Sequence, residues 1–364
     1  SLAHLPLPLF AAPMGIGGLG LAWREAGHAL GAPTAIGEAL LALTAALWGV
    51  IALLHVVRAS RHPGAWAADL KHPIRSAFAG AISIGLMIVA GALIPYAADM
   101  AATVWLLAVA LHLIIAGWTV RGMLVAPREA ATLAPPLLLP LVGNIVAPVV
   151  GVKLGFVVLS WMMFGIGGLL WIMIQPLILA RVVSGPTLPE KLRPTLAIML
   201  APPAVGTVAL VQLTGGFGAA PLAVFGLAAF MAAILLTLAP AFARVPFAMS
   251  WWAWTFPSAA FAIAALLFAQ AWPTPWGGLA CWIVLLAVSA VEHPCILKPA
   301  AQLARAGWQL ETVAVDSAGR VDFDAFAKVV AQRPKLLSFM LANNETGVLQ
   351  DIPALAAMAR PAGG

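Results

Sequence analysis

Apolar and polar positions along the chain fall into long blocks. Runs of mostly apolar residues are separated by short intervals that hold most of the charge up to residue 291. Ten such runs can be marked, over 7–23, 36–57, 76–97, 101–124, 136–152, 154–180, 195–214, 220–242, 249–271 and 276–291. A helix needs about 20 apolar residues to cross the hydrocarbon core of a bilayer. The pattern therefore predicts an all-α polytopic membrane protein with ten transmembrane helices. The fifth run is short and broken by Pro140, Gly143, Asn144 and Pro148, and the tenth is short and stops abruptly.

A second regularity separates odd runs from even ones. The first holds Pro13 followed by Gly15, Gly17, Gly18 and Gly20. The fifth holds Pro140 and Pro148, the seventh Pro202 and Pro203, and the ninth Pro257. The even runs are mostly unbroken Leu, Ala and Val, with Pro176 and Pro240 near the ends of the sixth and eighth. Broken helices at membrane depth are tolerated where they line a cavity or are buried in protein, and small residues let helices approach closely. The odd runs thus read as five inner, kinked helices around a central pore, and the even ones as five outer helices. The third run departs from this rule: it has Gly80, Gly85 and Gly91 but no proline from 77 to 94.

The ninth run begins MSWWAWTFPSAAFAIAALL, without a charge. A proline within a helix removes one backbone hydrogen bond and clashes with the preceding turn, so a bend is expected at Pro257. That bend would carry Phe256 out of regular packing. Two readings are open: Phe256 plugs a pore, or it is one more aromatic packed on lipid or a neighbouring helix.

Composition strengthens the membrane reading. Of 364 residues 63% are hydrophobic and 9% charged, against about 25% charged in soluble domains. The formal charge of +6 matters less than where it lies. Arg58, Arg61, Lys71, Arg75, Arg121, Arg128, Arg181, Lys191, Arg193 and Arg244 fall at one side of the spans, and only Arg24 and Lys153 at the other. This bias sets orientation and predicts cytoplasmic termini; it does not point to nucleic acid. Cys281 and Cys295 form neither a disulfide framework nor a metal site. The chain starts at Ser1, reads as a fragment, and has no cleavable signal peptide.

Pore chemistry is read from what the runs hold. Glu38 is placed near the start of the second run and Asp99 in a loop, so no acidic relay crosses the interior. Coupled carriers bury ionisable groups, and a wall without them fits a passive pathway that favours small anions through helix termini and cytoplasmic Lys and Arg. His55, His72 and His112 are assigned to span ends or loops, with packing or interfacial roles. Asn144 is polar at membrane depth, and cavity lining and an interhelical hydrogen bond are equally open for it.

Six segments carry a family resemblance: GIGGLGLAWR (15–24), DLKHPIRSAF (69–78), LPLVGNIVAP (139–148), QPLILARV (175–182), LRPTLAIMLAPPAVG (192–206) and SWWAWTFPSAAFA (250–262). With these, residues 1–291 resemble the tellurite-resistance/C4-dicarboxylate transporter family, which includes the plant slow-type anion channels. The resemblance implies ten helices around a central pore in the bilayer, a homotrimer, and occlusion of the pore by Phe256. It leaves the substrate among tellurite, dicarboxylates and small inorganic anions. The setting expected is a bacterial inner membrane.

From Glu292 the pattern changes to alternating apolar and charged residues, as in a small α/β segment. Helices are expected at 296–306, 322–330 and 353–359, and strands at 309–315 and 336–341. EHPCIL (292–297), VDSAGRVDFDAF (315–326) and ANNETGVLQDI (342–352) resemble the cysteine desulfurases among class V aminotransferases. That resemblance implies pyridoxal phosphate as cofactor in a complete enzyme, with His293 stacked on its ring and Asn344 in contact with it. Leu341 stands where a histidine is common. The Schiff-base lysine, phosphate-loop and catalytic-cysteine regions are missing from residues 292–364, so no cofactor and no enzymatic activity are expected. Two origins are weighed for the segment, an artificial join of neighbouring genes and a true fusion, and the abrupt seam favours the first.

Overall fold

Each proline at which the sequence predicts a bend lies in the first turn of an α-helix. The computed structural model describes residues 2–126, 129, 132–242, 244–245, 248–274, 277–291, 323–331, 354 and 358. In it α1 (Ala11–Leu30) carries Pro13, α6 (Leu138–Val142) carries Pro140, α7 (Ala147–Gly151) carries Pro148, α9 (Ala201–Thr214) carries Pro202 and Pro203, and α12 (Thr255–Ala271) carries Pro257. Each of these helices follows a tighter 3-10 segment: Leu7–Phe10, Pro135–Leu137, Gly143–Val146, Glu190–Leu200 and Met249–Ala253 respectively. The first four N–H groups of an α-helix have no intrahelical acceptor, so a proline costs no hydrogen bond there. The expected bend at Pro257 is therefore corrected: it is a junction between a 3-10 segment and an α-helix, not a kink inside a continuous one.

The third run has the same construction without the proline. A 3-10 segment, Ser76–Phe78, leads into α4 (Ala79–Leu93). The even runs form α2 (Thr34–Arg61), α5 (Ala98–Val125), α8 (Val157–Ser184) and α10 (Ala219–Thr237), each a single α-helix. Pro176 lies well inside α8 rather than near its end, and Pro240 falls in the short α11 (Ala239–Phe242).

Burial divides the segments along the same line. In the most apolar window, 83% of residues are buried in Ser76–Leu93, 72% in Glu190–Thr214 and 50% in Met249–Ala271. The values are 28%, 33%, 22% and 17% for α2, α5, α8 and α10. Every residue of α1 from Ala11 to Gly20 is also buried. The outer helices present large apolar side chains such as Leu53, Ile114, Val158 and Phe230 on their exposed faces. An apolar exposed face of this extent requires an apolar surrounding. Seven segments are long and apolar enough to cross a membrane. The other expected runs coincide with α1, with the broken stretch Pro135–Gly151, and with α13 (Gly277–Val291).

Glycines close the gaps between inner segments. A Cβ at Gly80 would stand 2.6 Å from the nitrogen of Pro140, so α4 lies directly on the backbone of the fifth segment. Outer helices reach in with single donors. The Trp48 indole donates to the carbonyl of Ile82 at 2.9 Å, and the Trp105 indole to that of Ala147 at 3.1 Å.

Charged groups sit at the ends. Arg24, expected between spans, lies within α1. It makes a bidentate pair with Glu38 at 2.8 and 2.7 Å and donates to the carbonyls of Gly91 and Ala92, which belong to the last turn of α4. At α2's other end, Arg58 and Asp69 are fully buried and paired at 2.7 Å, with Arg75 on the second carboxylate oxygen. Asp69 belongs to α3 (Pro63–Lys71). Asp99, expected in a loop, is in the first turn of α5.

Residues 1–288 form one unit and residues 289–364 a second. In the second, α14 (Phe323–Ala331) matches the helix expected at 322–330, with Phe326 and Val330 buried. The expected strands at 309–315 and 336–341 and the helix at 296–306 lie outside the described residues, and of 353–359 only Ala354 and Met358, both helical, are described. No strand occurs among the described residues.

Candidate functional site

A small void lies among the inner segments, and all five odd-numbered stretches contribute to its wall. Ala11 and Met14 come from α1, and Phe78 from the turn before α4. Leu139 comes from α6, Ile198 and Ala201 from the seventh segment, and Ala253, Phe256 and Pro257 from the ninth. No polar or charged side chain lines it among the described residues. Its free space, about 10 Å³, is room for one water molecule. A polar wall is needed to hold water in so small a cavity, so this apolar space disfavours water.

Phe256 follows the junction between the 3-10 segment and α12. The junction sets the ring against α1, where Gly18 leaves room for it: a Cβ at Gly18 would meet the ring at 3.1 Å. Phe256 is 7% exposed. Pro257 beside it also faces the void.

The other residues singled out from sequence belong to void-lining segments but do not themselves line it. Pro13 and Gly15 are buried in α1, Pro140 packs under Gly80, and Pro202 follows void-lining Ala201. Asn144 is fully buried, and its amide donates to the carbonyl of Leu141 in its own segment at 3.1 Å. It packs on α8, where a Cβ at Gly167 would stand 3.0 Å from Asn144 Cβ. Neither alternative open for Asn144 describes that arrangement. The smaller lining residues Ala11, Ala201 and Ala253 have no signal in the sequence, because the apolar runs contain many like them.

His112 is corrected. It lies at the middle of α5, is fully buried, and shares a 2.7 Å hydrogen bond with Ser83 of α4. His55 is buried between Phe10 and Trp66, with ring centroids 5.1 and 5.5 Å away, which is a packing role. His72 Nδ1 accepts the backbone N–H groups of Ile74 and Arg75 in the turn after α3. His293 and Asn344 lie outside the described residues. No group of three or more metal-binding side chains occurs among the described residues.

Residues 4–292 match the sequence model of the voltage-dependent anion channels. The chain belongs to the voltage-dependent anion channel family. This bears out the resemblance read from the motifs and makes the protein a multi-pass membrane protein. Among curated relatives, the S-type anion channel SLAH3 of Arabidopsis thaliana is 26% identical over 301 residues, covering 80% of this chain and 47% of that protein. SLAH2 of the same plant is 23% identical over 281 residues, covering 74% and 53%. The chain thus spans about half the length of the plant channels it matches. Residues 285–364 match the class-V aminotransferase family. A cysteine desulfurase of Gluconacetobacter diazotrophicus is 40% identical over 79 residues, 21% of this chain and 20% of that enzyme.

Proposed function

We propose that residues 1–291 form a ten-span anion-conducting domain whose five inner segments surround a central pathway and whose gate is the ring of Phe256. The observation that carries this reading is the small apolar void walled by all five odd-numbered segments, with Phe256 against it. A closed apolar constriction blocks ions by excluding water, and moving one ring admits them. The outer faces, which carry Leu53, Ile114 and Val158, meet lipid. The natural setting is a bacterial inner membrane, with both termini cytoplasmic on the positive-inside bias and three copies assembled together. The substrate is a small anion: tellurite, a C4-dicarboxylate such as malate, or an inorganic ion. The test is flux of a panel of these anions into proteoliposomes, with and without Phe256→Ala. The variant is expected to raise flux at least tenfold; unchanged flux removes Phe256 as gate.

A second reading, a proton-coupled dicarboxylate carrier on the same fold, rests on the buried His112–Ser83 pair, an ionisable group at membrane depth. Malate uptake that follows an imposed pH gradient would favour it over a channel. For the C-terminal segment we propose no desulfurase activity. His293 and Asn344 are the only cofactor contacts its motifs supply, and without a Schiff-base lysine in register they do not make a pyridoxal phosphate site. Adding pyridoxal phosphate to the whole chain should give no Schiff-base absorbance band; a saturable band would overturn this.

A further inference from the structure

We propose that Gly18 sets the resting position of the Phe256 ring, which makes it a positioning residue for the gate; the inference rests on the gate reading above. Residues spaced by three or four share one face of a helix. Gly18 therefore continues the face of α1 that carries Ala11 and Met14 into the void. One turn beyond Met14, its neighbours belong to α12. A Cβ there would lie 3.1 Å from Phe256 Cδ2, 3.3 Å from Ala259 Cβ and 3.7 Å from Phe256 Cα. The Phe256 ring can yield by turning about its side-chain bonds, whereas Ala259 Cβ is fixed to the α12 backbone and takes a contact that is tight by a few tenths of an ångström. The adjacent Gly17 differs: a Cβ there meets Ile88 at 2.6 Å and Thr44 at 2.8 Å, on α4 and α2, and not the ring.

In the closed arrangement the ring rests against the bare backbone at position 18. A methyl group added there crowds the ring in the closed conformer, and in one where the ring has swung away it meets only Ala259 Cβ. A change that disfavours one of two conformers shifts the population to the other. Gly18→Ala therefore opens the path.

The test uses the full chain in proteoliposomes with chloride as the probe ion, comparing wild type, Gly18→Ala, Phe256→Ala and the double variant. Gly18→Ala is expected to raise flux about threefold or more, and to add nothing once Phe256 is Ala. Flux that is unchanged or lowered in Gly18→Ala, or raised equally with and without the ring, overturns the proposal. If Gly18→Ala fails to fold, the double variant decides: recovery of folding when the ring is removed supports the contact, and continued failure overturns it. Phe256→Ala that conducts like wild type sinks the gate reading itself; Phe256→Ala that conducts while Gly18→Ala does not sinks only this inference.

Discussion

Ser83 and His112 meet across 2.7 Å in the interior of the protein, 29 residues apart in sequence and on different helices. Ser83 Oγ also lies 3.1 Å from the Gly80 carbonyl, so the hydroxyl has an acceptor in its own helix as well as the ring nitrogen across the gap. The pair ties outer helix α5 to inner helix α4 at the level where α4 lies on Pro140. Ser83→Ala leaves a buried ring nitrogen without a partner, and a buried group left so costs about 1–3 kcal/mol. Ser83→Ala and His112→Leu together remove both partners and should be less destabilised than the serine change alone. Unfolding of the detergent-solubilised protein measures this, and additive losses would refute the coupling.

The buried pair of Arg58 and Asp69 makes a sharper prediction. Both side chains are at most 3% exposed, whereas Arg75, on the other carboxylate oxygen, is 47% exposed. Arg58 also donates to the carbonyls of Ala3 and Ala65. Asp69→Asn leaves a buried guanidinium without its counter-charge, which costs about 3–5 kcal/mol. Arg75→Ala removes a solvent-screened partner and should cost about 0–1 kcal/mol. Comparable losses in the two variants would show that Asp69 does not act through Arg58.

Much of this architecture was legible because length and charge are strong signals at membrane depth. Each of the ten hydrophobic runs falls on helical structure. The inner segments were legible only partly. Proline marked four of them, since Pro13, Pro140, Pro202 and Pro257 sit in first turns that follow 3-10 segments. The third segment, without proline, is the most buried of the long ones, and what marks it is Gly80, Gly85 and Gly91, each against a neighbour's backbone or side chain. Phe256 was legible through its place before Pro257 in a recognisable motif. His112 was misplaced, because its partner Ser83 is one serine in a glycine-rich run and nothing local announces the pair. Arg24 likewise looked like a loop charge until Glu38 and the end of α4 surrounded it.

The packing of α4 on the fifth segment predicts a steep contrast among glycines. A Cβ at Gly80 meets the backbone of Leu139 and Pro140 at 2.6 to 2.9 Å, and backbone cannot move aside as a side-chain tip can. Gly80→Ala should cost about 1–3 kcal/mol or more. Gly49 and Gly165, on outer helices, have nothing within 4 Å of an added Cβ. Ala at either position should be neutral or stabilising by about 0.4–1 kcal/mol, through helix propensity and a less flexible unfolded chain. Equal effects at Gly80 and Gly49 would refute the close approach.

Tyr96 offers a direct titration, because it is the chain's single tyrosine. It lies in the turn between α4 and α5, and its hydroxyl donates to Glu38 Oε2 at 2.9 Å. That hydrogen bond, helped by partial desolvation and by the negative charge of Glu38, holds the phenol above its ordinary value of about 10. A pKa raised on folding contributes stability that is complete below the unfolded value and is lost as pH rises through the folded one. Phenolate absorbance in the intact protein should therefore appear at higher pH than in the unfolded chain. Glu38→Gln should bring the midpoint back toward the ordinary value, since it removes the charge the phenolate would face. A midpoint that does not move between the two proteins would mean that Tyr96 and Glu38 are not joined in the folded state.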